Sequence, residues 1–383
     1  MHFSLVKMNP PDASPSHGFD DLILPLYFAL RRLGFATELR FNTCNPASRN
    51  IIFGSCIAPR RIGRTIPANS IIFNLEQINE NSKWCNNDYL THLRDFAVWD
   101  YSAENIAGLD RLGVKGCAHV PFGYVPEMRR ITRASNPDVE LLFYGLITER
   151  RQALVSRLFN SGVHILASQA AFGALRDTLL GRTRLVLNIH QFLPARLEIV
   201  RLGYVWANSV AVLSERRHDT EIPEYLHEAC AFAEYDDLFE TARGLLAEPE
   251  RIRQQAERGF RAFSSRPFTE SVERVVGKRV RAVALSLDVD GAGDGAGEGA
   301  GERAAESARG CLQIRSFAPE ARDPALLAKG VYSSRTRPEK KGPDDAANGQ
   351  KNSLETVPTS AVDSGSAGGT DEWQERANFL QNA

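Results

Sequence analysis

Two rhythms of apolar residues run through the first 283 positions. Short runs rich in β-branched and aromatic residues, FSLV, ATELRF, NIIFGS, SIIFNLEQI, AVWDY and CAHVPFG, are bounded by Pro, Gly, Asn and Ser and predict strands. Interspersed are stretches with apolar residues on a helical period. These are LILPLYFALRRLGF, stopped by Gly34, then YLTHLRDF, then SAENIAGLDRLG with Ser102 placed to cap its N-terminus. The polar piece EMRRITRASNPD reads as a linker, and the alternation restarts after it. VELLFYG, VHILAS, TRLVLNIH and VAVLSE predict strands, while ITERRQALVSRLFNSG, AFGALRDTLLG and LEIVRLGYVWANS predict helices. The remainder to about 283 reads as helical, with a break at Pro249. Strand–helix alternation marks a parallel sheet covered on both faces. It occurs twice, over residues 1–125 and 136–283, so the expected class is α/β: two Rossmann-like domains facing a cleft.

Composition changes near residue 284. Beyond it the only aromatic residues are Phe317, Tyr332, Trp373 and Phe379. The segments GAGDGAGEGAGERAAESARG and RTRPEKKGPDDAANGQKNS offer little to bury against a backbone ordering cost of about 1–2 kcal/mol per residue. Residues 284–383 are therefore expected to form a low-complexity, mostly disordered tail, in which CLQIRSF and DEWQERANFLQ are the stretches able to dock.

The whole chain of 383 residues carries 46 Lys and Arg against 47 Asp and Glu, a formal charge of -1, which gives no general reason to expect nucleic acid as a partner. Its apolar runs fall far short of the roughly 20 residues a membrane span needs. The opening MHFSLVKMNPPD lacks the continuous apolar stretch of a signal peptide, so a cytoplasmic protein is expected. The six cysteines (Cys44, Cys56, Cys85, Cys117, Cys230 and Cys311) show no CxxC and no tight pairing with histidine. Buried or half-buried thiols are expected, rather than a disulfide scaffold or a zinc site. Neither unit contains GxGxxG or GxxxxGK[ST], which argues against an ordinary dinucleotide fingerprint or a Walker ATPase.

Ligands of open α/β sheets collect at the carboxyl ends of the strands, and a cleft between two such domains is a preferred binding place. In the first unit these positions hold His17, in the loop after the first strand, Asn74 and Glu76 in FNLEQI, and Asp100 in VWDYS. Such groups suit orienting a hydroxyl or acting as a base; the competing reading is a loop hydrogen bond or a helix cap. In the second unit Gly145 closes LLFYG just before a helix, a place where backbone amides can meet an anion. Arg150 and Arg151 follow in the first turns, serving a phosphate or simply solvated. The richest run is VLNIHQFLPARLEIVRLGYVWANSVAVLSE. Asn188 and His190 alternate at a strand end, Glu198 and Arg201 stand three apart on a helix face, Asn208 ends that helix, and Ser214 and Glu215 end the next strand. These groups would converge on one pocket, with Glu198 suited to a ribose diol and Arg201 to a diphosphate or to Glu198 itself. Tyr204 and Trp206 read as packing residues.

The run LLFYG–helix–NIHQF…LEIVRLGYVWANSVAVLSE, followed by YDDLFETARGLLAEPERIRQQAERG, resembles the nucleotide-sugar half of GT-B glycosyltransferases. It is most similar to the bacterial family 1/4-like, CgeB-type proteins of polysaccharide biosynthesis. FNLEQI, VWDYSAENIAGL and HVPFGYVP resemble the preceding pieces of those proteins, so the likeness spans roughly residues 1–270. It implies a hexosyltransferase-type enzyme moving a sugar from a nucleoside diphosphate donor to a glycan, lipid-linked or other acceptor, with no metal and no other cofactor. A lipid-linked acceptor would bring peripheral membrane contact. The resemblance puts the donor on the second unit, where Gly145, Arg150, Arg151, Asn188, Glu198, Arg201, Ser214 and Glu215 are the candidates to hold it. The candidates for the chemistry are His190 and, for an inverting outcome, a base among His17, Glu76 and Asp100, which for a retaining outcome would orient the acceptor. Glu198 takes the later position of the family's two glutamates. At the earlier one the chain has Gln191 with His190 beside it, a departure that leaves retaining and inverting outcomes both open. A non-catalytic binding subunit and a nucleotide-sugar epimerase are the rival readings. Acceptor dependence separates the epimerase, and failure to bind any nucleotide sugar would mark the binding subunit.

Overall fold

The computed structural model describes residues 1–9, 18–57, 59–78, 85–169, 171–191, 196–218, 220–277 and 331–332. His17 lies outside the described residues, and so does the expected tail except for Val331–Tyr332. The first sheet comprises β1 (His2–Lys7), β2 (Ala36–Phe41), β3 (Arg49–Phe53), β4 (Ile71–Asn74), β5 (Ala97–Asp100) and β6 (Ala118–His119). They are all parallel, in the order β2-β1-β3-β4-β5-β6. Helices α1 (Asp20–Arg32), α2 (Pro59–Gly63), α3 (Asn87–Arg94) and α4 (Ala103–Arg111) accompany it. The second sheet holds β7 (Val139–Tyr144), β8 (Ile165–Ser168), β9 (Thr183–Asn188), β10 (Ala211–Glu215) and β11 (Ala231–Ala233), again parallel, with β12 (Val331–Tyr332) antiparallel on β8. Its order is β11-β10-β9-β7-β8-β12, with α5 (Glu149–Asn160), α6 (Gly173–Gly181), α7 (Ile199–Ala207), α8 (Leu238–Leu246), α9 (Pro249–Ser264) and α10 (Phe268–Val276).

Both sheets are buried on both faces, which is why their strands read as near-continuous apolar runs. Successive side chains still go to different cores. Phe3, Ile51, Phe53, Ile71, Phe73 and Trp99 point into one cluster, while Val6, Ile52, Ile72 and Val98 point into another. The second sheet divides likewise, with Leu142, Tyr144, Val186 and Val212 on one face and Leu141, Phe143, Leu185, Leu187 and Leu213 on the other. The first-named faces of the two sheets share one continuous core that runs between the units through α1, α7 and α10.

Helix α10 returns to the first unit, packing on α1, and its approach is stitched by Tyr124 N–H to Arg266 O (2.8 Å) and Phe268 N–H to Tyr124 O (2.8 Å). A Cβ at Gly123 would stand 2.6 Å from Arg266 O, so the close approach needs glycine. The expectation of helix throughout 216–283 is corrected by β11 and by the irregular stretch before it. Three residues completing a sheet edge carry too little periodicity to announce themselves.

The order of strands matters for the site. In the second sheet β7 is flanked by β8 on one side and β9 on the other, so the chain reverses direction across the sheet between β7 and β9. The crevice at the carboxyl ends of such a pair is where open α/β sheets bind ligands. The equivalent point in the first sheet falls between β1 and β3. Glu76 and Asp100, after β4 and at the end of β5, stand to one side of it. No helix among the described residues is long and apolar enough to cross a membrane.

Candidate functional site

At the β7–β9 crevice, buried polar side chains form one connected network. Asn188, the last residue of β9, donates through Nδ2 to Glu198 Oε2 (2.8 Å) and to Ser214 Oγ on β10 (3.0 Å). His190 Nδ1 meets Glu198 Oε1 at 2.9 Å, and its backbone N–H donates to Glu215 Oε2 at 2.9 Å. Glu215 also receives both terminal nitrogens of Arg150, 2.7 Å from Nη1 to Oε2 and a still shorter contact from Nη2 to Oε1. The Arg150 guanidinium lies over the Tyr235 ring, 3.8 Å from its centre. Arg151 is wholly buried and donates to Ile189 O (3.0 and 2.6 Å) and Leu146 O (2.8 Å). Arg201 covers the Tyr144 ring at 4.2 Å and reaches Asn188 Oδ1 at 3.4 Å.

Eight of the ten expected second-unit residues, all but Gly145 and Asn208, thus come together. Gly145 has φ 130°, a conformation that favours glycine, and spends its amide on Ser168 O (2.9 Å) rather than on the crevice. Glu198 does not ride on the helix: α7 begins at Ile199, and the Glu198 carboxylate turns back to β9 instead of capping α7. Seven residues intervene between His190 and Glu198, so His190, not Gln191, holds the earlier place of the paired-glutamate spacing. It is His190 that the fold brings to Glu198. Asn208 serves elsewhere. Its side chain accepts from Arg130 N and Ile131 N and donates to Met128 O and Tyr204 O, fastening the inter-unit segment.

Charge sets the character of this site. Burial pulls the His190 pKa down, but the charge and hydrogen bond of Glu198, joined by Glu215, outweigh it and leave it raised. Burial raises the Glu198 carboxyl, yet His190, Asn188 and Arg201 together hold it below its ordinary value. Burial, aided by the neighbouring Arg201 charge, lowers Arg151 to about 9. Three guanidinium groups and a histidine with a raised pKa therefore face two carboxylates, an excess of positive charge in a buried place. His190 Nε2 is buried with no hydrogen-bond partner among the described residues.

The first unit holds a second cluster. Asn74 Nδ2 donates to Asp100 Oδ2 (2.6 Å) and Glu76 O (2.9 Å), and Tyr89 OH donates to Asn74 Oδ1 (2.8 Å). Asp100 Oδ1 accepts from Ser102 N (2.7 Å) and Asn105 Nδ2 (3.3 Å), while Cys56 Sγ donates to Glu76 Oε1 (2.9 Å). Ser102 caps α4 as expected, accepting from Asn105 N at 3.2 Å. Asp100 is fully buried, which pushes its carboxyl up to about 7 against the pull of these donors and of Arg196. Tyr101 feels Asp100 and Glu76 from its own unit and Arg196 and Glu198 from the other, so the two clusters approach one another there.

Arg196 and Tyr235 were not anticipated from the sequence. Arg196 stands two residues before Glu198 in the stretch PARLE, but nothing local marks its partners in the other unit. Among the described residues no group of three or more His, Cys, Asp and Glu is placed to hold a metal ion. The described cysteines are free, Cys56 and Cys230 buried and the others half-buried.

Two parallel, helix-flanked sheets facing a cleft make this a GT-B-like α/β fold. No protein-family model and no curated protein matches the chain. Among solved structures it is similar to the crystal structure of TarM, at 10% identity and TM-score 0.46, over 60% of this chain and only 54% of that one. It is similar also to WaaG, a glycosyltransferase involved in lipopolysaccharide biosynthesis (12% identity, TM-score 0.46, 71% of this chain and 98% of that one). A third likeness is to Anabaena Alr3699/HepE in complex with UDP (10% identity, TM-score 0.45, 75% and 100%). At 10–12% identity such likeness reaches no individual residue of the site.

Proposed function

We propose that the chain is a glycosyltransferase that moves a sugar from a nucleoside diphosphate sugar to a glycan, lipid-linked or other acceptor, using no metal. The observation that carries this reading is the meeting, at the β7–β9 crevice, of a carboxylate held ionised (Glu198), a histidine nitrogen with no partner among the described residues (His190 Nε2) and a surplus of guanidinium charge. A nucleoside diphosphate needs all three: an acceptor for ribose hydroxyls, a hydrogen-bonding group near the sugar, and cations for the phosphates. Glu198, oriented by Asn188, takes the ribose. Arg150, Arg151 and Arg201 stabilise the diphosphate, and Ser214 and Glu215 hold Asn188, Arg150 and the His190 backbone in place.

In the reaction, the bond from sugar C1 to the diphosphate oxygen breaks and its electrons stay on that oxygen. Preorganised positive charge stabilises the developing anion. The acceptor oxygen bonds to C1 and gives up its proton. Glu76 and Asp100 are buried, and the Asp100 oxygens and Glu76 Oε1 already hold protein donors, so both are assigned to building the acceptor side rather than to abstracting that proton. The departing phosphate oxygen then accepts it, a route that favours retention.

The test is calorimetric titration of the full chain with UDP-, GDP-, TDP- and CMP-sugars, alongside Glu198→Ala. Binding of one donor that is lost in the variant supports the reading. A folded protein that binds none of them overturns it and points to a binding subunit.

A further inference from the structure

Among the described residues two ion pairs join the units, and they differ in kind. Arg176 and Asp21 meet deep beside α1, at 4% and 14% side-chain exposure, with the Tyr204 ring stacked on the guanidinium at 3.9 Å. That contact is part of the shared core. The other lies at the cleft. Arg196 leaves the second unit two residues before Glu198 and ends on the first unit, its Nε 2.7 Å from Glu104 Oε2 in the opening turn of α4. Its Nη2 donates to Ile78 O at 3.0 Å. This pair is half-exposed, at 22% and 37%, and a pair of that exposure is weak and readily reversed. Its Nη1 is buried with no hydrogen-bond partner among the described residues, a cost that the Ile78 and Glu104 contacts must offset.

The position of these contacts is what gives them meaning. Ile78 N is held by Asn105 Oδ1, and Asn105 Nδ2 in turn donates to Asp100 Oδ1 and Glu76 O. Arg196 therefore grips Ile78 and Glu104, which flank Asn105, the residue that ties this edge to the Asn74–Asp100 cluster. On its own side it belongs to the segment that delivers Glu198 to His190 and Asn188. One side chain thus connects the two polar clusters across the cleft.

We propose that Arg196 is a positioning residue: it registers the segment bearing Glu198 against the Ile78–Asn105 edge of the first unit, so that the sugar's C1 and the acceptor oxygen are brought into line. The catalytic half of this inference rests on the glycosyltransferase reading, and the structural half does not. Misplacement of reacting atoms by about 1 Å costs on the order of 100-fold in rate, so a residue that touches no reacting atom can still govern turnover.

The test uses the full chain and four variants: Arg196→Gln, Glu104→Gln, the charge exchange Arg196→Glu with Glu104→Arg, and Arg253→Gln as a control on an exposed α9 pair. Hydrogen exchange by mass spectrometry needs no substrate. Arg196→Gln and Glu104→Gln are expected to speed exchange about fivefold or more in peptides covering 76–78, 103–106 and 198–202. Peptides covering β7 and α9 should stay as in the parent, and the charge exchange should restore protection. Unchanged exchange in Arg196→Gln, or loss of protection everywhere with no rescue, overturns the inference. With the donor found by calorimetry, Arg196→Gln should leave donor affinity within about threefold while kcat falls roughly 10–100-fold; an unchanged kcat also overturns it. If the parent chain binds no nucleotide sugar, the functional reading fails on its own and the exchange data still decide the role of Arg196.

Discussion

Replacing Glu198 by Gln keeps the shape of the side chain and removes its charge, which isolates the electrostatic part of the candidate site. Glu198 is 3% exposed and accepts from both His190 Nδ1 and Asn188 Nδ2. Gln can still accept the His190 N–H through its one oxygen, but its amide then faces Asn188 Nδ2, donor against donor. Losing one charge-assisted hydrogen bond costs about 1.5–3 kcal/mol near neutral pH, where His190 can shed its proton. The cost should not be constant. In the parent, His190 has a raised pKa, so its contribution is fully present below its ordinary value of 6.5 and is lost as pH rises through the folded value. In the variant, burial and the Arg150 charge lower the His190 pKa with only Glu215 opposing them, and the folded state then resists a proton that the unfolded chain takes up below 6.5. Between pH 6.5 and 5 the deficit should therefore widen by up to about 1.4 kcal/mol per pH step, or roughly 2 kcal/mol. Urea unfolding of parent and variant at pH 5, 6.5 and 8 measures this. A deficit that is the same at pH 5 and pH 8 would refute the claim that an ionised Glu198 holds a protonated His190.

Three further outcomes are expected. Asp100 has its pKa raised from 3.8 to about 7, so the parent should lose stability as pH rises between those values, by about 4 kcal/mol from this group alone. Asp100→Asn should lack that loss, and a stability difference between the two that does not change from pH 4 to 8 would count against it. At Gly203 a Cβ would lie 2.7 Å from Phe263 Cζ and 2.8 Å from Phe122 Cε1, so Gly203→Ala should cost about 1–2 kcal/mol in urea unfolding even after its gain in helix propensity. A neutral result would mean that these rings move aside freely. Asp21→Ala leaves the buried Arg176 with Asp177 and the Tyr204 ring, and should destabilise the fold by about 3 kcal/mol. A thermal midpoint within a degree of the parent would show that the inter-unit pair carries nothing.

The alternation of strand and helix was legible in the sequence because it is a local consequence of burial. IIF in β3 and again in β4 needs only to be covered on both faces, and that requirement is written in neighbouring residues. Ser102 as a cap and Pro249 as the first residue of α9 are equally local. The strand-end places of Asn188, His190, Ser214 and Glu215 in the candidate site were legible too. What they do to one another was not. That His190 pairs with Glu198 and Arg150 with Glu215, that Gly145 spends its amide on β8, and that Asp100 is sealed inside its own donors all depend on how strands lie side by side. The Arg196–Glu104 contact joins two units through residues far apart in the chain, and each is an ordinary surface charge until the units meet. By itself the sequence determined which segments must be buried and at what period. Only the tertiary structure decided the partners of the buried charges, because a pairing energy depends on distance in space and not on position along the chain.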